Sequence, residues 1–101
     1  MLDRMYVVVR DALSSGLKAA QACHALTAFT FAHPQRTRDW FESSNHLVVL
    51  QCDDLPDLAD ALEGSGFPVV RFHEPDMGGA LTAICTDGSA RRALRYLPLA
   101  G

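Results

Sequence analysis

Residues 4–31 read RMYVVVRDALSSGLKAAQACHALTAFTF, and the fold class follows from this stretch. Residues 6–9 are an aromatic and β-branched run that stops at Arg10-Asp11, the pattern of a buried strand. Ser14-Ser15-Gly16 then offers N-cap residues. From 17 to 31 the residue types favour helix, and His33-Pro34 ends it, because the residue before a proline is pushed out of the helical region. A strand that feeds a long helix opens an α/β unit, in which the next strand normally returns parallel through a right-handed crossover.

Working outward, a second helical piece begins at Pro34, carries Trp40 and Phe41, and breaks at Ser43-Ser44-Asn45. HLVVLQC at 46–52 is a second strand. Asp53-Asp54 caps a third helix, with Pro56 in its first turn and Leu55, Leu58, Ala59 and Leu62 at helical spacing. Gly64-Ser65-Gly66 ends that helix, and 67–72 is a third strand. HEPDMGG at 73–79 is a turn-rich loop before a fourth strand over 80–86. Asp87-Gly88-Ser89 opens a short basic helix that fades at Leu97-Pro98. The predicted order is β-α(α)-β-α-β-β-α. The last two strands, joined by a short loop, are antiparallel, so the sheet is four-stranded and mixed, with flanking helices. Strand order across the sheet is left open.

The 101 residues suffice for one domain and not two, and 49% apolar content allows a core, so residues 1–101 are read as a single domain. The apolar runs are far shorter than the ~20 residues of a membrane span. Met1-Leu2-Asp3-Arg4-Met5 enters the first strand without the regions of a signal peptide. The expectation is a soluble cytoplasmic protein with no membrane partner. Cys23, Cys52 and Cys85 have neither disulfide nor zinc spacing, and each sits in an apolar stretch as a buried thiol. The alternative is a Cys23 nucleophile with His24, but neighbours on a helix point about 100° apart and rarely form a dyad. Net charge is −3, with one Lys and eight Arg, which argues against strong non-specific nucleic-acid affinity. Arg91, Arg92 and Arg95 nevertheless form a basic cluster, and Arg10, Lys18 and Arg71 are a second set. There is no Gly-x-Ser-x-Gly elbow and no metal-ligand cluster, so serine and zinc hydrolases are disfavoured and no cofactor is expected.

If strands one and three are parallel, loops 10–16 and 73–79 share one sheet edge, where α/β sheets bind ligands. The first helix starts there too, and its free N–H groups and dipole favour an anion. Lys18, Gln21, His24 and Thr27 recur every third residue along that otherwise apolar helix. Such a stripe faces a cleft or joins a core network in which Gln21 and His24 are satisfied and Lys18 reaches to water. Glu74 and Asp76 flank Pro75 in the second loop, and either could orient a water. Thr82 is a donor if it points to the cleft and an ordinary strand residue otherwise.

VVVR at 7–10, KAAQACHA at 18–25 and LTAI at 81–84 resemble the type-2 peptidyl-tRNA hydrolases, over nearly the whole chain. Ala19-Ala20-Gln21 with His24-Ala25 is the most specific part, and the Glu-Pro-Asp loop is similar to the divergent, peptidyl-tRNA-hydrolase-domain-containing branch. The resemblance implies the mixed four-stranded sheet. It also implies hydrolysis of the peptide–tRNA ester without a metal, often in a homodimer. The implied cluster is a Lys at the helix start, an acid after the third strand and Thr near the fourth. The family Lys stands four residues before the Gln. That position here is Leu17, and Lys18 stands three before. The acid falls on or near Glu74, with Asp76 a second candidate, and Thr82 matches one Thr. The aligned position of the family's acid in its Arg-x-Asp-Leu segment is Ala12, with Asp11 one residue short. The catalytic expectation is therefore Lys18, Glu74, Asp76 and Thr82. Arg10, Gln21, His24, Arg91, Arg92 and Arg95 are expected to bind the peptidyl-tRNA substrate.

Three functions stay open: a peptidyl-tRNA esterase, a catalytically inactive member that binds tRNA or a protein partner, and a hydrolase of another small ester or amide.

Overall fold

The computed structural model describes residues 4–101, so the reading of Met1-Leu2-Asp3 lies outside the described residues. The chain forms β1 (Arg4–Arg10), α1 (Ser15–Ala32), α2 (Pro34–Ser43), β2 (His46–Cys52), α3 (Leu55–Gly64), β3 (Val69–Glu74), β4 (Ala80–Asp87) and α4 (Arg91–Leu94), with 3-10 turns at Pro75–Met77 and Gly88–Ala90. This is the expected α/β order. Ser14 caps α1 by accepting from the Leu17 amide, and Asp54 caps α3 by accepting from the Asp57 amide. The third strand starts two residues later than predicted. The amides of Gly66 and Phe67 still bond back to the last carbonyls of α3, and Pro68 has no amide to give a ladder.

The strands lie in the order β2-β1-β4-β3. β1 pairs parallel with β2, while β4 is antiparallel to both β1 and β3. β1, β2 and β3 therefore run the same way, and their C-terminal ends open on one edge. The β3–β4 reversal uses Gly78 and Gly79 at φ of 65° and 78°, a region that side chains with a Cβ rarely enter. Residues 98–100 lie along the outer edge of β2, where the Gln51 amide donates to the Pro98 carbonyl and the Ala100 amide to that of Val49. Covering an edge strand in this way blocks unwanted pairing.

The period of two along β1 divides the core. Tyr6 and Val8 join Leu50 and Ile84 against Leu55, Leu58, Leu62 and Leu94 on the α3–α4 side. Met5, Val7 and Val9 join Ala83 and Cys85 against Ala22, Ala25, Phe29 and Trp40 on the α1–α2 side. Cys52 and Cys85 are buried as expected, and burial raises both thiol pKa values. Cys23 is a correction, since it is exposed. The buried residues of α1 are Lys18, Gln21, Ala22, Ala25 and Phe29, and Cys23 lies about 100° round from Ala22. Among the described residues no helix is long and apolar enough to cross a membrane.

Candidate active site

The candidate site is built by a break in strand alternation. Phe72 pairs with Ala83 and His73 with Leu81, so Thr82 is an extra residue, a β-bulge in β4. Ile84 and Leu81 belong to the α3 side and Ala83 to the α1 side. Strict alternation would send Thr82 to the α3 side with Ile84. The bulge turns it towards α1 instead, a re-aiming that bulges commonly perform. Thr82 Oγ1 donates to Gln21 Oε1 at 2.5 Å, and Gln21 Nε2 donates to Glu74 Oε1 at 2.9 Å. Thr82 and Gln21 are buried, while Glu74 is half-buried. The result is a fixed polar chain with a carboxylate at its outer end.

The second Glu74 oxygen accepts from the Asp76 amide at 3.3 Å, so Glu74 also caps the 3-10 turn. These bonds, first that from Gln21 and then that from Asp76, hold the Glu74 pKa below its ordinary value, with a smaller contribution from His24. Glu74 is therefore ionised at neutral pH. The Asp76 carboxylate is exposed, and only its backbone enters the network. His24, one turn along α1 from Gln21, is exposed and stacks on Phe72, with ring centroids 4.8 Å apart.

The structure does not bring Lys18 to this carboxylate. Its ammonium donates to Gln51 Oε1 at 2.7 Å and to the Gly101 carbonyl at 3.2 Å, beside β2. Glu74 belongs to β3, at the other side of the sheet. No hydrogen bond or ion pair joins Lys18 and Glu74 among the described residues. Leu17, by contrast, lies four residues before Gln21 and so on the same helix face, and it is 47% exposed. Arg10 ends β1 at the shared edge, following Tyr6 and Val8 in the alternation, which is the α3 side. Arg91, Arg92 and Arg95 are exposed around α4, whose Leu94 packs in the α3 layer, across the sheet from Glu74. Arg71 is held by Asp60 at 2.7 Å and Glu63 at 2.6 Å. Those two carboxylates raise its pKa further. Among the described residues no group of His, Cys, Asp and Glu is placed to hold a metal ion.

The family model for peptidyl-tRNA hydrolase PTH2 matches residues 4–85, from the start of β1 into β4. The chain belongs to that family. No curated protein matches the chain. For a peptidyl-tRNA hydrolase family member, the match covers every residue of the Thr82–Gln21–Glu74 chain and leaves α4 outside. Phe72 and Gln51 are contacts that sequence reading missed. The signal for Phe72 was present, because residues two apart on a strand share a face and Phe72 precedes Glu74 by two. For Gln51 the only hint was a polar side chain in an otherwise apolar strand.

Proposed function

We propose that the protein hydrolyses the ester between peptide and tRNA, with Glu74 orienting the attacking water. The observation that supports this most is the Thr82–Gln21–Glu74 chain, which fixes an ionised carboxylate at the strand-end edge of a peptidyl-tRNA hydrolase family fold. The water oxygen bonds to the ester carbonyl carbon and its proton passes to Glu74. The bond to the ribose oxygen then breaks, and that oxygen takes the proton back from Glu74 and leaves as a hydroxyl, which restores the carboxylate. A carboxylate with a lowered pKa is a weak base, so Glu74 works by holding the water and accepting its proton as attack proceeds. The positive end of α1 faces the same edge and favours the developing oxyanion. In this reading Lys18 anchors residues 98–101 through Gly101 and does not touch the ester.

A second reading, a family member that binds without hydrolysing, is favoured by one observation. Leu17 occupies the helix face that carries Gln21, while the ammonium of Lys18 is taken up beside β2. Release of labelled peptide from an N-blocked aminoacyl-tRNA separates the two. Turnover by the wild type that falls about 10²-fold or more in Glu74→Gln supports hydrolysis. An inert wild type together with an active Leu17→Lys, Lys18→Leu double variant supports the binding protein.

A further inference from the structure

We infer that His24, backed by Phe72, is the platform on which the terminal adenosine base of the tRNA stacks. This rests on the proposed hydrolase reading for its substrate. The two rings lie 4.8 Å apart between centroids and 28° from parallel. Phe72 is paired with Ala83 in the sheet and packed against the α1-side core, so it does not move freely. His24 is exposed. Among the described residues no ring covers its second face and no hydrogen bond ties its nitrogens. One side of the imidazole is thus fixed on Phe72 and the other is open to a flat partner.

The platform lies beside the carboxylate along two separate elements. On α1, His24 follows Gln21 by three residues and is its neighbour on the surface, and Gln21 holds Glu74 at 2.9 Å. On β3, Phe72 precedes Glu74 by two residues, about 7 Å along one face. A base on His24 places its own ribose over Glu74, and in peptidyl-tRNA that ribose carries the ester. Stacking on an aromatic face tolerates any base. It suffices here because every tRNA ends in adenosine, so the site needs to hold the base and not to read it.

The test uses adenosine 5′-monophosphate and N-blocked aminoacyl-tRNA. Titrating the nucleotide should move the His24 ring protons upfield in the NMR spectrum, and His24→Ala should abolish saturable binding. In turnover, His24→Ala should raise KM about tenfold or more and lower kcat by less. His24→Phe should recover most of the KM, since it keeps the stack and loses the imidazole. Nucleotide binding that leaves His24 and Phe72 unmoved overturns the inference, as does an unchanged KM in His24→Ala or a His24→Phe variant as weak as His24→Ala. If the wild type is inert on peptidyl-tRNA yet the nucleotide shifts the His24 ring, the hydrolase reading fails and the nucleoside platform stands.

Discussion

Gln21 is the main control on Glu74. The amide of Gln21 is the main cause of its lowered pKa, ahead of the Asp76 amide. A carboxylate whose folded pKa lies below its ordinary value of 4.5 stays ionised as pH falls, and its contribution is lost only as pH drops through the folded value. The acid limb of turnover should therefore have a midpoint below 4.5. Gln21→Met removes the donor and should move that midpoint upward, towards the ordinary value. Carbon-detected NMR titration of the Glu74 carboxyl reads the same shift without turnover. A Gln21→Met midpoint equal to or below the wild-type value would show that the amide does not set the charge. In the proposed reading Thr82, which reaches Glu74 through Gln21, and the Asp76 amide position that carboxylate.

Among the elements, the bulge in β4 matters most to the site. It adds one residue to one strand and thereby moves one hydroxyl from the α3 layer to the α1 layer. Gln21 is 2% exposed, and its carbonyl oxygen has Thr82 as its hydrogen-bond donor. Thr82→Val keeps the shape and leaves that oxygen unsatisfied, which should cost about 1–3 kcal/mol in denaturant unfolding. Thr82→Ser keeps the hydroxyl and should recover most of this. Equal stability of Thr82→Val and wild type would mean that Gln21 is satisfied in another way. The α1 helix carries a division of the same kind. Its buried residues are Lys18, Gln21, Ala22, Ala25 and Phe29; Gln21 and His24 meet Glu74 and Phe72 of β3, and Cys23 is exposed. A shift of one residue between Leu17 and Lys18 is a turn of about 100°, enough to move an ammonium from one flank of the helix to the other.

Over the whole molecule, charge and chemistry lie on different sides of the sheet. The Arg91, Arg92 and Arg95 cluster is on the α3–α4 side and Glu74 on the α1 side, so a tRNA that used both would have to wrap the domain edge. If the cluster meets phosphates, replacing all three with Ala should weaken tRNA binding and reduce the slope of log affinity against log salt by about 2–3. An unchanged slope takes α4 out of the interface. Thiol accessibility checks the packing of the layers independently. Cys23 is exposed while Cys52 and Cys85 are buried. A thiol reagent should modify one cysteine in the folded protein and three after unfolding, and fast modification of more than one in the folded state would contradict the core described.

The sequence by itself determined the element order, the class of fold, the capping of α1 and α3, and the family. Each of these rests on local patterns: a β-branched run in β1, helical spacing in α3, cap residues before α1 and α3, and a motif within α1. Local patterns also singled out Gln21 and Thr82, as polar side chains on apolar elements, and Glu74, as an acid in the loop after the third strand. They could not show that the three form one chain, since Gln21 and Thr82 are 61 residues apart and meet only through strand order and a bulge. The same holds for Lys18. From sequence it is a cation at a helix start near a loop of acids, and its partner is decided by which strand lies under that turn. Tertiary packing put Gln51 there and Glu74 across the sheet, because the direction of a side chain on a helix is set by rotation about the axis, and only the packed sheet says what lies in that direction.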